Sequence, residues 1–372
     1  MNKLLFSLIL LYPICAISAS SPPDIEARSY ILQDFHSGEI LVEKDADKAV
    51  EPASLTKLMT AYIVFNQLQV GKIKLTDKVK ISEEAWRMGG SKMYLEVNSM
   101  VTIKDLLKGM IIQSGNDASI ALAEHIAGNE EEFANLMNET AERLGLTNTH
   151  YTNSTGLNDA QHYSSARDVA KIAYFLIRDF PEYYRWYSQK EFTYNNITQH
   201  NRNTLLRRDP SVDGMKTGFT KAAGYCLAAS AKRKNMRLIS VVLGTENKKA
   251  RSIMSKKLLD YGFRAFKTYP LYPAYHVLSS ERVWKGDITK LKLGLKEAFY
   301  ITVPRGQYSK LRATLYIDKY ITAPVTALKS YGSLKIRLDD KVILERPLVA
   351  LSSVEKGSVG KRLIDSFLLL FY

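Results

Sequence analysis

The sequence predicts an α+β fold, and three observations predict it: a strand-like hairpin pattern near the N-terminus, strand-like runs beyond residue 224, and helix-periodic stretches between them. A sheet assembled from both ends of one domain, with helices inserted in the middle, satisfies all three. With 372 residues, 46% hydrophobic and 24% charged, the chain can bury a sizeable core and divides most naturally into two domains.

Taken in order, Met1-Asn2-Lys3 is a basic start, Leu4 to Tyr12 an apolar run, and Ala16, Ser18, Ala19 and Ser20 supply small residues behind it. That pattern is a secretory signal peptide over residues 1–19, too short and wrongly flanked for a membrane span; an N-terminal anchor is the alternative. Cys15 lacks the small residues that precede a lipid-modified cysteine, and cleavage removes it. Cys226 is then alone, so no intramolecular disulfide forms in an oxidising compartment. Its strand-like setting, Gly224-Tyr225-Cys226-Leu227-Ala228-Ala229, reads as that of a small buried hydrophobe.

Alternation around the turn His36-Ser37-Gly38 predicts a hairpin over 28–42. After Pro52-Ala53-Ser54, the apolar residues Leu55, Leu58, Met59, Tyr62, Ile63 and Phe65 recur at helical spacing, so Ser54 opens a helix buried along one side. Helical patterns return at 103–127, 131–144 and 165–178, and 225–243 holds two β-like runs. These segments form a body over 20–264. From residue 265 the texture changes to short alternating segments at 298–303, 311–317, 333–338 and 341–344, which describes a small all-β domain over 265–355 without a concentrated set of reactive groups. The tail, 356–372, sets Lys361, Arg362, Asp365 and Ser366 on one side of a helix and Val359, Leu363, Ile364, Phe367 and Phe371 on the other. It is too short to cross a bilayer. Its pattern fits an amphipathic anchor at an anionic membrane surface, or else a terminal helix docked on protein.

The formal charge of +14 suits an anionic partner: nucleic acid, an acidic membrane face or a wall polymer. No zinc-finger spacing, P-loop or RNP-like aromatic run is present, so the reading excludes nucleic acid. None of the six histidines stands at metal-ligand spacing, and no Gly-x-Ser-x-Gly elbow occurs; neither a metal, a cofactor nor a histidine-based serine hydrolase is expected.

Three short motifs carry chemistry. In Ser54-Leu55-Thr56-Lys57 a hydroxyl and an amine lie one helical turn apart, and a neutral lysine there can take the serine proton. Neutrality requires the lysine pKa to fall several units below its reference near 10.4, through burial and a second cation, for which Lys216 is the candidate. Ser353 to Lys356 and Ser358 to Lys361 share the spacing but have nothing around them to complete a site. Ser114-Gly115-Asn116 offers a hydroxyl that can relay a proton and an amide that can hold the lysine and a substrate backbone; alone, it fits a helix-capping turn equally well. Lys216-Thr217-Gly218 places a cation and a hydroxyl ahead of a strand, suited to a terminal carboxylate, with a glycine that permits close backbone approach. Together, in this order, the motifs are those of penicillin-binding proteins and class A β-lactamases.

The chain resembles the D-alanyl-D-alanine carboxypeptidases related to penicillin-binding protein 5. Beyond the motifs, Phe133 to Leu146, Tyr163 to Asp168, Asn201-Arg202-Asn203, Val212 to Gly218, Ile301 to Gly306 and Arg346 to Val349 are similar to family segments. The resemblance implies a β-lactamase/transpeptidase-like domain in an exported protein on the periplasmic face of the inner membrane, acting on peptidoglycan stems ending in D-Ala-D-Ala and acylated by β-lactams. It implies that Ser54 is the nucleophile, Lys57 the base, and Ser114 and Asn116 the opposite wall. Lys216 and Thr217 would grip the terminal carboxylate with Arg251, Arg202 supporting the same edge. The backbone N–H groups of Ser54 and Phe219 would form an oxyanion hole. Two departures bear on deacylation: Phe219 and Thr155 stand where the best-known relatives carry histidine. The competing readings are a D,D-endopeptidase, a class A-like β-lactamase using a Glu-x-x-x-Asn loop (Glu131 to Asn135 or Glu191 to Asn195), and a non-catalytic envelope-binding module.

Overall fold

The computed structural model describes residues 21–371, so the leader expected over 1–19 lies outside the described residues. The hairpin is β1 (Ser29–Asp34) and β2 (Ile40–Lys44), with Leu32 opposite Val42. The late strands are β3 (Val212–Thr220), β4 (Gly224–Arg233) and β5 (Met236–Thr245), a meander. β1 pairs antiparallel with β5, Ser29 opposite Leu243, and the five-stranded order is β2-β1-β5-β4-β3. Both chain ends therefore build the sheet, and β3 is left at its edge.

Alternation along the central strands divides the core. Ile31, Ile239, Val241 and Leu243 face a cluster shared with α1 (Lys57–Gln69) and α4 (Ala166–Asp179), and with α2 (Asn116–Ala127) and α3 (Glu130–Arg143) behind them. Leu32, Leu238 and Val242 face the other way, onto Met254, Leu258 and Leu259 of α5 (Lys248–Ala265). Apolar side chains on both faces are what a sheet covered by helices on each side requires.

Two sequence expectations change. α1 is not buried along one side only: every residue from Lys57 to Phe65 is buried, because α2, α3, α4 and the sheet surround its first turns. The 103–127 pattern is not one helix. A short helix, Ile103–Lys108, opens into a wide turn at Gly109–Gln113; Ser114 takes a left-handed φ of 69°, and α2 starts afresh at Asn116. Periodicity registers apolar spacing and is blind to that single left-handed residue.

α5 ends at Ala265 and an all-β region follows. Phe266–Tyr272 pairs with Phe299–Pro304, and a six-stranded sheet lies beyond. The junction is polar: buried Asp34 accepts from Thr268 Oγ1 at 2.6 Å, and Ser37 Oγ lies 2.7 Å from Thr302 Oγ1. The final helix, α6 (Val359–Leu368), is docked through its polar side. Asp365 accepts from the Lys285 N–H at 2.7 Å and from Arg282 at 3.2 Å, while Val359, Leu363, Ile364 and Phe367 remain exposed.

Candidate active site

Ser54 sits in a 3-10 turn, Ala53–Thr56, that feeds directly into α1. The turn is tight, with Ala53 at a φ of +49°, and it places Lys57 at the buried start of the helix. Lys57 Nζ lies 3.2 Å from Ser54 Oγ, 2.7 Å from Asn116 Oδ1 and 2.6 Å from the Thr155 carbonyl oxygen. The last two atoms can only accept. A neutral amine has two hydrogens, so Asn116 and Thr155 engage both and leave its lone pair to the third neighbour, the Ser54 hydroxyl.

Burial is the main cause that pushes the Lys57 amine down to about 7; Arg202 adds to the fall, and Glu130 and Asp117 oppose it. Arg202 is thus a second cation acting on Lys57, a neighbour that the motif reading, which looked to Lys216, did not place there. Lys216 is itself held well below the usual lysine range, by burial first and then by Lys57, Arg202 and Arg251. The repulsion between the two buried lysines disfavours charging both at once.

Lys216 lies on the edge strand β3, where its Nζ donates to Ser114 Oγ at 2.7 Å and to the Thr217 carbonyl at 3.1 Å. Gly218 lets that strand close on the serine turn: a Cβ there would lie 3.0 Å from the Pro52 oxygen and 3.3 Å from the Ser54 nitrogen. Arg251 reaches over from α5 and donates to the Gly218 carbonyl at 2.9 Å. Phe219 is half exposed and its ring packs on Tyr225, centroids 4.2 Å apart. The opposite wall is fixed by Asp117, which accepts from the backbone N–H groups of Met93, Tyr94 and Leu95, while the Asn116 amide nitrogen donates to Gly89 O at 2.7 Å.

These groups converge. Ser54, Ser114, Asn116, Arg202, Thr217, Gly218, Phe219 and Arg251 line one cleft of about 770 Å³, with Lys57 and Lys216 in its floor through their bonds to Ser54 and Ser114. Among the described residues, no cluster of three or more metal-ligating side chains is present. Neither Glu131, in the first turn of α3, nor Glu191, on an exposed hairpin strand, lines the cleft. Sequence reasoning did not find the Thr155 carbonyl or the Asp117 clamp. Asp117 directly follows the Ser-x-Asn motif, but a backbone carbonyl carries no residue signal at all.

Residues 16–247 match the family model for D-alanyl-D-alanine carboxypeptidase, and 266–356 match that for the penicillin-binding protein 5 C-terminal domain. The chain belongs to the D-alanyl-D-alanine carboxypeptidase family. It is 44% identical to D-alanyl-D-alanine carboxypeptidase DacC of Escherichia coli (strain K12) over 94% of this chain and 90% of that one. Identity to DacA of Haemophilus influenzae is 46%, over 92% of this chain and 88% of that one. The crystal structure of penicillin binding protein 5 from Haemophilus influenzae superposes with a TM-score of 0.87 at 45% identity, covering 90% of this chain and 99% of that one.

Proposed function

We propose that this cleft removes the terminal D-alanine from peptidoglycan stems through an acyl-enzyme on Ser54. The observation that carries the reading is the buried Lys57 amine, 3.2 Å from the serine hydroxyl with two pure acceptors, Asn116 Oδ1 and Thr155 O, as its other neighbours, so that in the neutral amine the lone pair is left to the hydroxyl. Lys57 takes the hydroxyl proton as Ser54 Oγ attacks the D-Ala-D-Ala carbonyl. The oxyanion forms against the Ser54 and Phe219 N–H groups. Phe219 lies on an edge strand, which presents backbone donors to an incoming chain. Lys216 and Thr217, with Arg251 and Arg202 beside them, hold the terminal carboxylate, whose negative charge favours the protonated form of Lys216 and so opposes the lowering that burial causes. The C–N bond breaks as the proton on Lys57 passes to the leaving amine, Ser114 serving as relay, and D-alanine departs. Water, deprotonated by the same amine, then cleaves the ester. With phenylalanine at 219 and threonine at 155, no imidazole from those positions assists that step.

β-Lactams mimic the same peptide and acylate Ser54. The β-lactamase reading gains nothing from the geometry, since neither candidate glutamate reaches the cleft. Endopeptidase activity on D-Ala crosslinks uses the same groups and separates from carboxypeptidase activity only by products. Release of D-alanine from diacetyl-Lys-D-Ala-D-Ala by the wild type, and none from Ser54→Ala, is the expected result; no release by the wild type overturns the reading.

The exported protein holds to the periplasmic face of the inner membrane through 356–372. What supports this is the direction of α6: its polar side is tied to the β domain, and its apolar face, with Leu370 and Phe371 beyond it, points outward. Among the described residues, no helix is long and apolar enough to cross a membrane.

A further inference from the structure

His162 is buried next to the nucleophile turn, and the chemistry above does not use it. Its Nδ1 accepts from the Thr152 backbone N–H at 3.0 Å, so that nitrogen carries no proton. Burial keeps the ring neutral, pushing its pKa down to about 4. The single ring proton is therefore on Nε2, which lies 2.8 Å from Thr56 Oγ1 and donates to it. The Thr56 hydroxyl in turn donates to the Ala53 carbonyl at 2.8 Å. That carbonyl belongs to the peptide unit whose other end is the Ser54 N–H. In a planar trans peptide, fixing the C=O direction fixes the N–H direction, and a donor on the oxygen makes the N–H a stronger donor.

The surroundings allow this peptide no other orientation. Gly156 packs so closely over it that an added Cβ would lie 1.8 Å from the Ala53 oxygen. Thr60 Oγ1 donates to Ser154 O at 2.8 Å, so the 152–157 segment is bonded to the first turn of α1 at both Lys57 and Thr60. Tyr151 meets the imidazole edge-on at 5.6 Å and closes off the site.

We propose that His162 is a positioning residue for acylation: acting through Thr56, it aims and polarises the Ser54 N–H that receives the oxyanion. It touches neither substrate nor the reacting atoms. Because the oxyanion exists only after attack, the effect belongs to the rate of acylation and not to binding. The inference rests on the Ser54 acyl-enzyme reading.

The test measures penicillin acylation rates, and kcat and KM on a D-Ala-D-Ala peptide, for the full chain and for His162→Ala, Thr56→Val and the double variant, with melting temperatures alongside. His162→Ala and Thr56→Val should each lower acylation and kcat about tenfold, short of the roughly hundredfold or greater loss when a donor is removed outright. KM should stay within about twofold, and the double variant should be no slower than the worse single one. His162→Gln, whose amide can accept from Thr152 and donate to Thr56, should recover most of the rate. Should His162→Ala not fold, Thr56→Val and His162→Gln still give the comparison. Folded variants with unchanged rates, a rise in KM alone, multiplicative losses in the double variant, or a glutamine variant as slow as alanine would each overturn the proposal. A wild type that is not acylated at all would sink the acyl-enzyme reading instead.

Discussion

The Lys57 amine titrates near 7, so the fraction able to accept the Ser54 proton grows as pH rises through that value. The acylation rate with a penicillin should climb across the same interval. Arg202 lowers this pKa, and Arg202→Gln should shift the rising limb to higher pH whatever it does to the plateau; an unmoved limb would assign the depression to burial alone. His162 leaves a different signature. Its folded pKa, about 4, lies below the ordinary 6.5, so the unfolded chain binds the proton first as the solution is acidified. Stability is complete above 6.5 and is lost as pH falls toward 4, by up to about 3 kcal/mol at about 1.4 kcal/mol per unit. Urea midpoints for the wild type should drop across that window, and those of His162→Gln should drop less. The motif residues were legible as residue types because a nucleophile, a base and a carboxylate grip demand particular side chains. The Thr155 carbonyl and the His162–Thr56 pair were not, since any sequence supplies a carbonyl and a buried histidine leaves no periodic trace.

At the scale of elements, the site depends on three segments meeting at one turn: the 3-10 turn at Ser54, the edge strand β3 and the loop around Gly156. Glycine is required at 156 on two counts, its φ of +78° and the contact of any Cβ with the Ala53 oxygen. Gly156→Ala should destabilise the protein by ~2–4 kcal/mol and slow acylation, read as a lower melting temperature and a reduced labelling rate. A fall in neither would show that the loop can retreat from the turn. The hairpin and the two late strands were readable because one side chain in two is apolar toward each core, as Ile31 and Leu32 show by facing opposite clusters. The break in the 103–127 helix was unreadable for the converse reason. Ile111 and Ile112 keep the apolar pattern through the wide turn, and only the left-handed Ser114 marks where the axis is interrupted.

Over the whole molecule, a catalytic body and a β domain join through Asp34, Ser37, Thr268 and Thr302, and α6 carries an exposed apolar face away from the β domain. Deleting 357–372 should leave acylation unchanged and abolish sedimentation with vesicles containing anionic lipid; undiminished sedimentation would contradict the anchor. Composition and texture foretold the α+β body, the β domain and the tail helix. They were silent on α6 being held by Asp365, a contact between residues far apart in the chain that no local pattern encodes. The central claim is that Ser54 is the nucleophile, and intact-mass spectrometry after exposure to benzylpenicillin tests it most directly. One covalent penicilloyl group per wild-type chain, localised to the peptide bearing Ser54 and missing from Ser54→Ala, is the predicted result; an unmodified wild type, or equal labelling of both proteins, would contradict it.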